Sequence, residues 1–248
     1  MIDSWAERGP VHLVAHRGGS AYAPANSIEA VSAAREHGAT DVEIDVHSTA
    51  DGRFVVTHDA LLGGDADRWI SELTADEYRT ACEGAEHPAV FLEDVLTVVV
   101  DSGLGLYLDV KQLLPGTEAA LAALIDNIEY RDQTVVASFR SDLAHTVKQE
   151  TGLLTSVLFH DPGINLHSLV LGTGCDFLHP CFDVFPEPLH HFTPAWVARA
   201  RRTSAGIVTW NTLDEETARA VLALGVDGIC ADDPGVLVAA MAAGPGLR

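Results

Sequence analysis

Two acidic residues, Glu43 and Asp45, alternate with valine and isoleucine in one apolar segment. In a β-strand, side chains two positions apart point to the same face, so both carboxylates face away from the aliphatic neighbours. Carboxylates that share an interior repel one another unless a cation or proton lies between them. Asp109, at the end of another apolar segment, adds a third oxygen donor, and such donors suit Mg²⁺ or Ca²⁺. The pattern predicts a divalent-cation site; the alternative is surface carboxylates paired with arginine.

Two histidines stand where other apolar segments end. His16 is followed by Arg17 and two glycines, and His58 is followed by Asp59. Imidazole titrates near neutral pH, so two histidines beside a cation site are suited to act as an acid and a base, although a lone histidine is more often structural. The planar guanidinium of Arg17 is suited to bind an anion through two hydrogen bonds.

Lysine occurs at only two positions, and one of them, Lys111, follows Asp109 by two residues. It supplies a second positive charge beside the predicted cation site. A cation, an arginine and a lysine together neutralise phosphoryl oxygens, while the two histidines move protons. These residues predict cation-assisted cleavage of a phosphate ester.

Three further residues have open interpretations. Trp210 ends an apolar segment, and it either belongs to the core or stacks on the substrate at the active-site mouth. Asn26 lies three residues before Glu29, which is the spacing of a helix capping box, so Asn26 is either a cap or a site residue. Asp232 also follows an apolar segment, and we assign it no role.

Eight short apolar segments alternate with amphipathic segments. The predicted strands are Val11–Ala15, Asp41–Val46, Leu104–Asp109, Val135–Ser138, Leu154–Leu158, Phe177–His179, Gly206–Thr209 and Gly228–Ala231. The predicted helices are Ser27–His37, Leu92–Ser102, Glu118–Glu129, Ser141–Glu150, Asn165–Leu171, Pro194–Arg201, Asp214–Leu224 and Gly235–Ala242. This alternation predicts parallel βαβ units closed into a TIM barrel, with the active site at the carboxyl ends of the strands. An open doubly wound sheet is the alternative, but no strand leads into a GxGxxG turn.

The alternation is interrupted after the second strand. An extra strand, Arg53–Thr57, follows the turn at Asp51 and Gly52. Residues 60–90 are predicted to be irregular, with a short helix near Ala75–Ala81. Loops at that end of a barrel lie beside the active site, so we expect this short insertion to cover it.

Composition limits the class of protein. The 248 residues, 47% of them hydrophobic, fit one barrel domain over 1–248. No apolar run is long enough to span a membrane, and Met1–Glu7 does not read as a signal peptide, so we expect a cytoplasmic protein. The four cysteines form no CxxC pair, which disfavours a zinc or redox site. A net charge of −21 excludes attraction to nucleic acid or an anionic membrane.

The site segments together resemble a known family. The motifs that carry the resemblance are Ala15-His16-Arg17-Gly18-Gly19, Ala23-Pro24-Ala25-Asn26-Ser27, Glu43-Ile44-Asp45, Thr57-His58-Asp59, Leu108-Asp109-Val110-Lys111, Trp210-Asn211 and Ala231-Asp232-Asp233-Pro234. They resemble the glycerophosphodiester phosphodiesterases over nearly the whole chain. The resemblance implies a TIM barrel with an insertion after strand two, a divalent cation, and hydrolysis of glycerophosphodiesters to a glycerol phosphate and an alcohol.

The resemblance also implies a role for each matching residue. His16 and His58 form the acid/base pair, Glu43, Asp45 and Asp109 hold the metal, and Arg17 and Lys111 contact the phosphate. The chain departs from the family at Ala25, where glutamate is usual, and at Asp109, where glutamate is frequent.

Two other functions stay open. A lysophospholipid phosphodiesterase would need an apolar patch on residues 60–90, and a non-catalytic phosphodiester-binding barrel would lack a catalytic histidine.

The charge balance generates a first prediction. Thirty-six acidic residues against 15 basic ones, with few lysines, are typical of salt-adapted proteins, although an ordinary acidic protein is the alternative. The Debye length falls from about 10 Å at 0.1 M salt to about 3 Å at 1 M, so salt weakens the repulsion among carboxylates. We expect the melting temperature, followed by circular dichroism, to rise between about 0.1 and 2 M KCl. A flat or falling melting temperature would exclude salt adaptation.

Overall fold

The computed structural model describes residues 11–62, 68–85 and 88–243. The strands in chain order are β1 (His12–Ala15), β2 (Asp41–Ser48), β3 (Phe54–Val56), β4 (Leu61–Leu62), β5 (Arg68–Trp69), β6 (Gly105–Gln112), β7 (Thr134–Ser138), β8 (Leu154–Phe159), β9 (Phe177–Pro180), β10 (Gly206–Thr209) and β11 (Gly228–Ala231). The helices are α1 (Ile28–Ala34), α2 (Ala75–Ala81), α3 (Leu92–Ser102), α4 (Glu118–Asn127), α5 (Ser141–Thr151), α6 (Leu166–Thr173), α7 (Pro194–Arg201), α8 (Glu215–Leu222) and α9 (Pro234–Ala243).

Eight of the strands close into a parallel barrel. Their order is β1-β11-β10-β9-β8-β7-β6-β2, and β2 pairs with β1 so that Val14 lies opposite Asp41. The predicted TIM barrel with a short insertion after the second strand is therefore confirmed, and the open sheet is excluded. That residues 1–248 form one domain stays a prediction, since both termini, including Met1–Glu7, lie outside the described residues.

Strand β6 shows how the sequence pattern separates the core from the site. Leu106, Leu108 and Val110 are fully buried in the layer between the barrel and the helices. Tyr107 packs with residues of the barrel interior, and the alternation of a strand directs Asp109 to the same side. The strand continues to Gln112, so Asp109 lies within it rather than at its predicted end. The outward positions stabilise the fold, and the inward positions carry polar groups.

The insertion begins with β3, which pairs antiparallel with β2. Helix α2 has the predicted bounds and begins with a capping box between Thr74 and Glu77. The two-residue strands β4 and β5 pair with each other, and this hairpin was not predicted, because two residues are too few to show a hydrophobic period. Residues 63–67 and 86–87 of the insertion lie outside the described residues.

Two predictions from the composition concern membrane-spanning segments and cysteines. No helix in the described part of the chain has the length and apolar character needed to cross a membrane. All four cysteines are free thiols. Cys175, Cys181 and Cys230 are buried, and Cys82 is half-buried.

The outward layer generates a stability prediction. Leu108 is fully buried between barrel and helices, whereas Leu171 on α6 is 77% exposed. We expect Leu108→Ala to lower the free energy of unfolding by about 2–5 kcal/mol, because it removes buried apolar surface and leaves a cavity. Urea denaturation measures this change, and Leu171→Ala is the matched control with little expected effect. Equal effects of the two substitutions would contradict the assignment of Leu108 to the core.

Candidate active site

The turn after β1 sets the geometry of the barrel mouth. His16–Gly18 forms a tight turn, in which Arg17 has a φ of 50° and Gly18 a φ of 85°, both in the left-handed region. A Cβ atom on Gly18 would lie 2.9 Å from the backbone nitrogen of Val31, so only glycine fits this close approach to α1. The tight turn leaves the His16 side chain buried at the carboxyl end of β1.

The three predicted carboxylates come together at this end of the barrel. Glu43 and Asp45 lie on β2, Asp109 lies on the neighbouring β6, and Asp45 is directly opposite Asp109 in the strand register. One oxygen from each carboxylate lies within 4.8 Å of the others, and all three residues are buried. Burial excludes the alternative of surface carboxylates. We call Glu43, Asp45 and Asp109 the acidic cluster.

Positive side chains offset part of this charge. Lys111 Nζ lies 2.8 Å from Asp45 Oδ1 and also forms an ion pair with Asp109. Arg17 Nε lies 3.3 Å from Asp45 Oδ2, and the Arg17 backbone N–H donates to Glu43 Oε2 at 2.8 Å. Lys111 therefore contacts the acidic cluster directly, and its predicted contact with a phosphate stays a prediction.

The pKa values of the three carboxylates move in different directions. Burial, and then the charges of Asp45 and Asp109, raise the pKa of Glu43 well above its usual value. Burial also raises the pKa of Asp109. Burial opposes the ionisation of Asp45 too, but the charge and hydrogen bond of Lys111 outweigh it and lower the pKa of Asp45. Lys111 thus outweighs burial at Asp45 but not at Glu43 or Asp109.

The donor set fits a hard divalent cation. Mg²⁺ and Ca²⁺ prefer carboxylate oxygens, and a cation between these residues would offset the burial and the repulsion that raise the pKa of Glu43. Asp109 Oδ1 is buried and has no hydrogen-bond partner among the described residues. A buried carboxylate oxygen without a partner is costly in a finished fold, so its presence favours a ligand role.

Asn26 belongs to the site rather than to a helix cap. Its Nδ2 donates to Asp45 Oδ2 at 2.7 Å, and its Oδ1 accepts from the Asp45 backbone N–H at 3.1 Å. The helix cap is Ser27, whose Oγ accepts from the Ala30 backbone N–H at 3.0 Å. The capping interpretation of Asn26 was therefore wrong, and the residue fixes the orientation of Asp45.

His16 is held from the far end of the chain. Its Nδ1 lies 2.6 Å from Asp232 Oδ1, while its Nε2 lies 3.9 Å from Glu43 Oε2. Ser20 and Asn211 also donate to Asp232, at 2.8 and 3.1 Å. The hydrogen bond from His16 is the largest cause that holds the pKa of Asp232 well below its usual value. An ionised Asp232 favours the proton on Nδ1, which leaves Nε2 as a base.

His58 has a different environment. It lies in the insertion with an exposed side chain, and its Nδ1 is 2.8 Å from Asp59 Oδ1. The buried His47 forms a hydrogen bond through its Nε2 to the backbone oxygen of His58 at 3.2 Å. His58 borders a groove of about 690 Å³ together with Arg17, Asn26 and insertion residues. The side chain of His58 is therefore exposed at the groove, whereas that of His16 is buried at the barrel mouth.

Trp210 packs among other rings at the barrel mouth. Its ring centroid lies 4.9 Å from that of His16, 5.8 Å from that of Phe139 and 6.4 Å from that of His179. Trp210 is half-buried, so its predicted stacking on a substrate stays a prediction.

His179 ends the predicted strand Phe177–His179, and no functional role was predicted for it. Its Nδ1 forms a 2.8 Å hydrogen bond with the Tyr107 hydroxyl. Burial, with the charges of His16 and Lys111, lowers the pKa of His179 to about 3, so this imidazole is neutral at pH 7.

Known proteins are similar to this chain in sequence and in fold. A glycerophosphodiester phosphodiesterase of Caldanaerobacter subterraneus subsp. tengcongensis is 26% identical over 91% of this chain and 96% of its own length. The crystal structure of a glycerophosphodiester phosphodiesterase from Thermotoga maritima, 26% identical, covers 92% of this chain and 97% of its own with a TM-score of 0.72. An Oleispira antarctica phosphodiesterase, 22% identical, has the same fold with a TM-score of 0.78, covering 92% of this chain and 96% of its own.

The family model described as the glycerophosphoryl diester phosphodiesterase family matches residues 16–236. The match begins at the first histidine of the site and ends beyond the last barrel strand. It therefore includes the acidic cluster, both histidines and Asp232. The chain belongs to the glycerophosphoryl diester phosphodiesterase family.

Proposed function

We propose that this chain hydrolyses glycerophosphodiesters to a glycerol phosphate and an alcohol, with a divalent cation, Mg²⁺ or Ca²⁺, held by the acidic cluster. Family membership makes it a phosphoric diester hydrolase. The observation that supports the proposal best is the group of three buried carboxylates beside a histidine that is paired with Asp232. The Oleispira antarctica relative was crystallised with its product sn-glycerol-3-phosphate, and we propose a glycerol phosphate as one product here.

The phosphate would bind beside Arg17. Its guanidinium borders the groove and is only partly buried, so it has room for an anionic ligand. When bound, a divalent cation would neutralise phosphoryl charge and polarise the phosphorus centre. Asn26 and Lys111 keep Asp45 in place through direct hydrogen bonds, so the carboxylate is already oriented before a substrate arrives.

The two histidines are proposed to divide the proton transfers. His16 Nε2 takes a proton from the nucleophile, which is either water or the neighbouring hydroxyl of the substrate, and Asp232 stabilises the resulting imidazolium. His58, which is exposed at the groove, gives a proton to the departing alcohol oxygen. Each histidine has an aspartate on Nδ1, so each keeps Nε2 available for the substrate.

The two alternatives receive less support. A lysophospholipid substrate would need an apolar patch on residues 60–90, where Trp69 is 52% exposed but Ile70 is buried. A barrel that only binds phosphodiesters would not need two histidines that are both paired with aspartates.

The acidic cluster generates a prediction about the cation. We expect Asp45→Ala to lose cation binding and hydrolysis together, because it removes one of the three carboxylates of the cluster. Removing an outer contact to a metal typically costs about 10–100-fold, so loss of a ligand should exceed about 100-fold in activity. Calorimetric titration with Mg²⁺ or Ca²⁺ and release of glycerol phosphate measure the two effects. Asp142→Ala, at an exposed ion pair with Arg140, is the control. Full activity after exhaustive chelation would contradict the proposal.

A second prediction separates the histidines by the leaving group. An alkyl alkoxide leaves poorly without a proton, so loss of the acid should slow natural diesters by about 10²–10⁴-fold. A nitrophenolate leaves without help. We therefore expect His58→Ala to regain much of its rate on a nitrophenyl phosphodiester, and His16→Ala to stay slow on both substrates. Rescue of His16→Ala alone would reverse the roles, and normal rates for both variants on the natural diester would show that the pair is misassigned.

A further inference from the structure

A small cavity lies beside Glu43 and Asp109, two of the three residues of the acidic cluster. Its volume is about 10 Å³, which is close to the room that one water molecule needs. The side chains around it include His16, Glu43, Asp109, His179 and Trp210. The cavity therefore joins the proposed cation ligands to a histidine that has no part in the mechanism above.

Three buried polar atoms from this lining have no hydrogen-bond partner within the described part of the chain. They are Oδ1 of Asp109, Nε2 of His179 and Nε1 of Trp210. His179 is 2% exposed and Asp109 3% exposed, so neither of these two side chains is solvated from outside. Buried polar atoms in native proteins almost always have a partner, and three of them around one cavity point to a shared one.

We propose that His179 is a positioning residue, which holds Asp109 through a water molecule in this cavity and so sets the affinity of the site for a divalent cation. Water suits either tautomer of His179, because it can donate to a bare ring nitrogen or accept from an N–H. It can donate to the Asp109 oxygen in both cases. The inference rests on the proposed function, since it assumes that Asp109 is a ligand.

The other contacts of the two residues explain why such a link is needed. Asp109 pairs with Lys111 through Oδ2, and Lys111 also pairs with Asp45. The other oxygen of Asp109, Oδ1, has no hydrogen-bond partner within the described residues. The ring of His179 is fixed by the 2.8 Å hydrogen bond between Nδ1 and the Tyr107 hydroxyl. A fixed ring gives the link a defined direction. Partners of this kind orient a metal ligand and raise its affinity for the ion.

Three substitutions at His179 separate this role from simple packing. His179→Gln places an amide group at the distance of Nε2, whereas His179→Asn places one only at the distance of Nδ1. His179→Leu removes both polar atoms. We expect His179→Leu and His179→Asn to bind Mn²⁺ about 10- to 100-fold more weakly than the unaltered chain. His179→Gln should bind with an affinity close to that of the unaltered chain.

The dissociation constant for Mn²⁺ alone is measured by electron paramagnetic resonance, which reports the free ion and needs no substrate. Thermal unfolding without metal gives the stability of each variant. The proposal is supported if the Gln variant binds Mn²⁺ and the Leu and Asn variants bind weakly while all three melt at similar temperatures. It is overturned if all three bind like the unaltered chain, or if Mn²⁺ affinity simply follows the melting temperature.

Asp45→Ala distinguishes this inference from the proposed function. If the unaltered chain binds Mn²⁺, Asp45→Ala does not, and the His179 variants bind normally, the cation site stands and the role of His179 is wrong. If the unaltered chain itself binds no Mn²⁺, the proposed cation site fails, and the inference fails with it.

Discussion

The repulsion among three buried carboxylates is the constraint around which this barrel mouth is built. The parallel pairing of β2 with β6 places Asp45 opposite Asp109, and the pleat of β2 adds Glu43 to the same face. Nearby positive charges and hydrogen-bond donors neutralise part of the negative charge. Lys111 forms ion pairs with two of the carboxylates, and the turn after β1 presents a backbone N–H to the third. The burial and repulsion that remain, chiefly at Glu43, would favour a cation in the proposed site.

The two histidines differ in how firmly the fold holds them. His16 is buried, hydrogen-bonded to an aspartate that is itself fixed by two further donors, and packed against Trp210. His58 is exposed on the insertion and has a single, highly exposed aspartate as its partner. A base that must meet a nucleophile at a fixed position benefits from the first environment. An acid that must meet alcohols of different sizes is better served by a residue at the edge of an open groove.

Much of this site could be predicted from local sequence, and the rest depends on contacts between distant segments. The alternation at Glu43 and Asp45 needs only a strand, so the acidic cluster was predictable. The partnership of His16 with Asp232 joins residues 216 positions apart and exists only because β1 pairs with β11. Asn26 was ambiguous because its spacing to Glu29 also fits a helix cap. No role was predicted for His179, since its hydrogen-bond partner Tyr107 lies on another strand 72 positions away.

The pairing of β1 with β11 therefore does more than close the barrel. Ala15 lies opposite Ala231 in this register, so the residues that follow them, His16 and Asp232, leave the two strands side by side. A shift by one residue would turn alternate side chains to the other face and separate the pair. The buried apolar positions of both strands hold the register, and through it they keep Nδ1 of His16 beside Asp232. In this fold the packing of the first and last strands therefore also sets the orientation of the proposed catalytic histidine.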